Sequence, residues 1–120
     1  MKLINCIEAL DGLAVLGNEK LPISTSYKIA GHISKLREIS APFFDTRQKF
    51  IQEMNDQYGG DVPSDVSEKF KKDIESLLDQ EVSLDLDKID LSSCDISVNA
   101  KVLSMCMPFI KIDMDEHENS

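Results

Sequence analysis

Residues 24–58 constrain this chain more than any other stretch. Apolar side chains at Ile29, Ile33, Leu36, Phe43, Phe50, Ile51, Met54 and Tyr58 recur mostly at steps of three, four or seven. That spacing places them on one face of an α-helix. Gly59-Gly60 ends the pattern, where a left-handed backbone costs least. At about 1.5 Å per residue the helix would be roughly 50 Å long. A compact domain of 120 residues is shorter than that, so the other elements must pack along it. Gly31 costs about 1 kcal/mol against alanine in a helix interior and predicts a close crossing of another helix there. Pro42 lacks an amide donor and predicts a kink or break near residues 39–41, giving two collinear segments or two helices joined by a tight turn.

The flanking segments read as shorter elements. Residues 1–4 suit a short strand or an extended lead-in. Asn5 suits a helix N-cap with Glu8 completing a box, and Ile7, Leu10, Leu13 and Ala14 form an apolar face that stops near Leu16, before Gly17-Asn18. Ser24, Thr25 and Ser26 are each candidate caps for the long helix. Ser64 is placed to cap a third helix reaching Leu78 or Gln80, with Val66, Phe70, Ile74, Leu77 and Leu78 on one face and Glu68/Lys72 and Lys71/Glu75 paired on the other. The short loop between two amphipathic helices predicts an antiparallel hairpin. From Glu81 the period changes to two: Val82, Leu84 and Leu86 alternate with Ser83, Asp85 and Asp87, the signature of a half-buried strand. Its candidate partners are residues 1–4, 94–96 and 109–112. Ser97 suits the cap of a last helix, about 98–107, with Val102, Leu103, Met105 and Cys106 inward and Pro108 closing it. Residues 113–120 read as an acidic disordered tail.

Charge is unevenly divided. Residues 1–58 hold seven Lys/Arg and seven Asp/Glu, whereas residues 59–120 hold six lysines and fifteen acids, which accounts for the whole net charge of −9. Direct nucleic-acid binding is disfavoured, because a phosphate backbone needs a basic surface. A basic protein partner or simple solubility both fit. No apolar run approaches the roughly 18 residues of a membrane span, and residues 1–5 are too short an apolar run for a signal peptide. Cys6, Cys94 and Cys106 are odd in number and lack C-x-x-C spacing, which points to small buried hydrophobes in a reducing compartment.

Catalytic motifs are absent from the reading. Asp85, Asp87 and Asp90 are the densest carboxylates near an ordered element, but the sixth position of the matching loop is Asp90 instead of glycine and the twelfth is Ile96 instead of glutamate. It is therefore no EF-hand, and a solvated, aggregation-blocking face is preferred to a metal site. His32 and His117 make no ligand set, and neither joins a nucleophile motif. Gly59-Gly60 has no following Lys-Ser/Thr and is no phosphate loop. Met105-Cys106-Met107 with Phe109 suits core packing, or else an adaptable partner surface. Phe43 and Phe44 lie about 100° apart around the helix, so one of them is available as an anchor for a partner or second subunit.

The order of motifs carries a resemblance. Leu21-Pro-Ile-Ser-Thr-Ser-Tyr-Lys-Ile-Ala opens a long helix, Glu68-Lys-Phe-Lys-Lys-Asp-Ile-Glu-Ser-Leu-Leu follows, then Glu81-Val-Ser-Leu-Asp-Leu and Ile96-Ser-Val-Asn-Ala-Lys-Val-Leu. Over about residues 1–110 this resembles a set of small bacteriophage proteins catalogued as a domain of unknown function. Pro42 departs from that pattern, whose helix is unbroken. The resemblance implies phage origin and action in the bacterial host cytoplasm or in a virion. The reading as a whole is a mainly helical α+β domain over residues 1–112: a long helical hairpin, two further helices and a small antiparallel sheet. Its expected role is a non-enzymatic accessory protein without cofactor, acting by protein–protein binding as an acidic inhibitor of a host protein or antiviral defence complex. The alternative is a virion structural or assembly protein of the tail or head, or its chaperone. Asp85, Asp87, Asp90, Phe43 and Phe44 are the candidate partner-binding residues, and a homo-oligomer is a further option.

Overall fold

A computed structural model describes residues 1–92, 94, 96 and 98–112. In chain order it comprises α1 (Leu3–Leu16), α2 (Ile23–Tyr58), α3 (Ser64–Leu78), β1 (Ile89–Asp90), α4 (Ala100–Cys106), a 3-10 turn (Met107–Phe109) and β2 (Ile110–Lys111). The architecture is mainly helical with a small two-stranded sheet. The molecule measures 56 × 28 × 25 Å, and its long dimension is that of α2, about 54 Å at 1.5 Å per residue. No helix among the described residues is long and apolar enough to cross a membrane.

α2 passes through Pro42 as one helix, correcting the expected break. Proline removes one amide, whose acceptor would be the Glu38 carbonyl. Both residues are exposed, so water can serve that carbonyl. On the inner side Leu36, Ser40 and Phe43 are buried and hold the two halves in line. None of the three candidate hydroxyls caps α2, which starts directly after Pro22. The helix ends at Gly59, whose φ of 62° and ψ of −130° suit glycine alone. α3 likewise starts after Pro63 without a side-chain cap.

α1 begins at Leu3, two residues before the expected cap at Asn5. Tertiary contacts set this start. The Leu3 amide donates to the Gln80 carbonyl at 2.9 Å, and Lys2 forms an antiparallel bridge with Glu81. The buried face is also rotated from expectation: Leu3, Cys6, Ala9, Gly12, Leu13 and Leu16 are buried, whereas Ala14 is exposed. α1 is apolar nearly all round, so periodicity alone cannot choose the face. The choice falls to the small row Cys6, Ala9 and Gly12, which lets α4 approach closely. A Cβ on Gly12 would lie 2.6 Å from Cys106 Sγ, 3.1 Å from Met105 Cβ and 3.2 Å from the Val102 carbonyl oxygen. The close crossing expected at Gly31 is therefore at Gly12, since nothing lies within 4 Å of a Cβ on Gly31.

The expected antiparallel strand is corrected most. Residues 82–88 form no regular strand, yet their burial still alternates: Val82, Leu84 and Leu86 are half-buried against the core, and Ser83, Asp85 and Asp87 are exposed. The ladder lies further on and is parallel, Ile89 opposite Ile110 and Asp90 opposite Lys111, extended by the Leu91 amide on the Lys111 carbonyl at 2.8 Å. The chain between β1 and β2 crosses over through α4, as a parallel pair requires. The cap of α4 is Asn99, whose side chain accepts from the Val102 amide at 3.0 Å. The expected cap Ser97 and the tail 113–120 lie outside the described residues.

Candidate interaction surface

Phe43 and Phe44 are adjacent in sequence and separate in role. Phe43 continues the inner row of α2 and is 7% exposed. It lines a cavity of about 170 Å³ with Leu3 of α1, Leu77 of α3 and Val82, so it joins four segments. Phe44 is 43% exposed. The two rings meet edge-on, centroids 5.3 Å apart and planes at 62°. Only Phe44 presents apolar area to a partner.

The carboxylates are organised by the segment between α3 and β1. With Val82, Leu84 and Leu86 turned inward, Asp85 and Asp87 face solvent. They line a cleft of about 340 Å³ with Lys28 and His32 of α2 and with Lys88. The His32 Nε2–H donates to the Asp87 carbonyl at 2.6 Å, and its ring stands edge-on to Phe109, 6.2 Å between centroids. His32 thus clasps the segment to α2. Asp90 is engaged differently. Its Oδ1 accepts the Ser92 amide at 2.9 Å, which, with Lys111 and Lys28 nearby, holds its carboxyl below the ordinary value. Of the acids just upstream, Asp79 pairs with Lys2 at 2.6 Å and Glu81 with the N-terminal ammonium at 2.8 Å. Asp85 and Asp87 form no side-chain ion pair or hydrogen bond among the described residues.

The structure brings Asp85 and Asp87 together and leaves Phe44 apart from them. His32 and Phe44 are twelve residues apart on α2, about 18 Å along its axis. Lys28 and Lys88 break the anionic character of the cleft. Sequence reasoning missed two of the most exposed apolar side chains, Ile23 at 89% and Tyr27 at 80%. Their i,i+4 spacing, out of phase with the inner row, was the available signal.

Among the described residues no three His, Cys, Asp or Glu side chains are grouped to hold a metal ion. The cysteines are free thiols. Burial pushes Cys106 up to about 11 and raises Cys6, so neither offers a thiolate at neutral pH. Comparison of the chain with protein-family models, curated proteins and solved structures finds no match.

Proposed function

We propose that this chain is a non-enzymatic bacteriophage accessory protein that acts by binding another protein, as an acidic inhibitor of a host protein or antiviral defence complex in the host cytoplasm. The observation that carries this reading is the Asp85/Asp87 pair. Both carboxylates are exposed and without side-chain partners among the described residues, on a segment fixed by inward-facing leucines and by His32. A carboxylate pair held in place before binding loses little conformational freedom on association. It can occupy a basic site intended for another anion and speed encounter with it. The excess of acids in residues 59–120 adds a long-range component.

A second reading, a virion structural or assembly protein, draws on a different observation. α3 contains no fully buried residue, and Phe50 of α2 opposite it is 49% exposed. In that reading the outer part of α2 and α3 forms the long helical hairpin as a projecting arm. Phe50, Phe70 and Ile74 share a small cavity of about 60 Å³ between them.

The test is affinity capture from phage-infected bacteria with the wild-type chain and an Asp85→Lys/Asp87→Lys variant, with circular dichroism to check the fold. Asp90 is left intact because it organises the Ser92 turn. The inhibitor reading expects one host protein that the variant loses. Capsid or tail proteins captured equally by both chains would instead support the assembly reading.

A further inference from the structure

The cavity of about 170 Å³ beside Phe43 takes no part in the functional reading above. Its floor is Leu3 and Phe43, both buried, and its walls are Ile39, Leu77 and Val82, all half-buried. Thr46 and Gln80 are exposed and stand at its mouth. α1, α2, α3 and the segment after α3 each contribute to it. Backbone bonds hold this lining in place before any guest arrives. The Leu3 amide donates to the Gln80 carbonyl at 2.9 Å, and the Val82 amide to the Met1 carbonyl at 2.8 Å. The Phe43 ring is braced edge-on by Phe44. An apolar cavity of about 150 Å³ is already large enough to hold benzene.

The chemistry of the lining narrows the guest. No side chain around the cavity is charged. The Thr46 hydroxyl and the Gln80 carboxamide form no side-chain hydrogen bond among the described residues, so both can bond a guest. A preformed apolar floor with a few polar groups at its edge is the layout of a small-ligand pocket. We propose that this cavity binds a neutral, single-ring molecule of phenol chemistry. The ring rests on Leu3 and Phe43, and the hydroxyl meets Thr46 and Gln80. Charged analogues are rejected, because an ion would leave water and find no counter-ion in the lining. A bound ring touches α1, α2 and α3 together. It therefore fastens the last turn of α3, a helix without a fully buried residue of its own. None of these residues lines the Asp85/Asp87 cleft, so the proposal is independent of the functional reading above.

Methyl ¹H–¹³C NMR of the full chain titrated with phenol tests the proposal. The methyls of Leu3, Ile39, Leu77 and Val82 should shift together and saturate with a Kd of about 1 mM, ordinary for a ligand this small. Benzoate and benzylamine should bind about 10-fold more weakly or not at all. Thr46→Val combined with Gln80→Leu should weaken phenol about 5-fold, the loss of one net hydrogen bond, and leave benzene unchanged. Both positions are exposed, so this variant keeps the fold. Val82→Phe fills the cavity and should abolish the shifts in a folded chain. Several results overturn the proposal: no saturable shift of these methyls up to about 20 mM phenol, benzoate binding as tightly as phenol, a rim variant that binds phenol like the wild type, or a folded Val82→Phe chain that still binds.

Discussion

Replacing Gly12 by alanine tests the packing of α1 against α4 at its tightest point. The new methyl would sit 2.6 Å from Cys106 Sγ and 3.2 Å from the Val102 carbonyl oxygen. Ordinary contact distances are about 3.5–4.0 Å, so the overlap with sulfur is about 1 Å. Cys106 is fully buried and cannot swing out, and the carbonyl belongs to the backbone of α4. Overpacking of this kind costs about 1–3 kcal/mol, and a contact with backbone belongs at the upper end. Alanine returns about 1 kcal/mol of helix propensity. The expected net loss is about 2 kcal/mol, read as a fall in Tm of roughly 8 °C. Urea unfolding of the wild type, Gly12→Ala, Cys106→Ala and the double variant forms a cycle. Because Cys106→Ala removes the clashing sulfur, the double variant should be more stable than the sum of the singles by about 1 kcal/mol. Gly31→Ala is the control. It meets nothing within 4 Å, and in an otherwise unassociated chain it should be stabilised by about 0.5–1 kcal/mol. A Gly12→Ala chain as stable as the Gly31→Ala control would refute the close crossing.

Three further outcomes follow from individual side chains. His32→Ala removes a hydrogen bond worth about 1 kcal/mol and an edge-on ring contact worth about 0.5–1.5 kcal/mol, and amide exchange in residues 82–89 should accelerate; unchanged exchange would mean that His32 does not hold the segment. Ser40 is fully buried with no partner for its hydroxyl among the described residues, so Ser40→Ala should be stabilised by about 1 kcal/mol, and a clear destabilisation in urea would reveal a bond that the geometry lacks. Asp90 titrates below its ordinary value of 3.8, chiefly because the Ser92 amide donates to the carboxylate. Its stabilising contribution is therefore complete above that value and is lost as pH falls through the lower folded value. Carboxyl ¹³C titration should give a midpoint below 3.8, and a midpoint at or above it would contradict the turn geometry.

The elements that could be read from sequence are those whose signal is local. α2 and α3 have long apolar rows, and α2 ends at Gly59, so periodicity locates both helices and glycine chemistry bounds the end of α2. Residues 82–86 show how far a local signal reaches. Alternation gave the burial of Val82, Leu84 and Leu86 correctly, because burial depends on which side of the chain is apolar. It left the pairing open among residues 1–4, 94–96 and 109–112, and the antiparallel bridge of Lys2 with Glu81 and the Val82 amide on the Met1 carbonyl take up the first of these only at the start of the segment. Gly12 and Gly31 make the same point for helices. Both are interior glycines, and only the position of α4, set by the crossover between β1 and β2, decides which one meets a neighbour. Pro42 was overestimated because its missing donor faces solvent. The candidate carboxylates were legible as exposed, whereas the lysines among them and the His32 clasp come from elements distant in sequence.

Amide hydrogen exchange of the chain, free and bound to a protein captured from phage-infected bacteria, tests the proposed inhibitor role most directly. Slowed exchange is expected over residues 82–90 and at Lys28, around the Asp85/Asp87 cleft, with α3 and the outer part of α2 unchanged. Protection confined to α3 and the outer part of α2, with residues 82–90 exchanging as in the free chain, would contradict it.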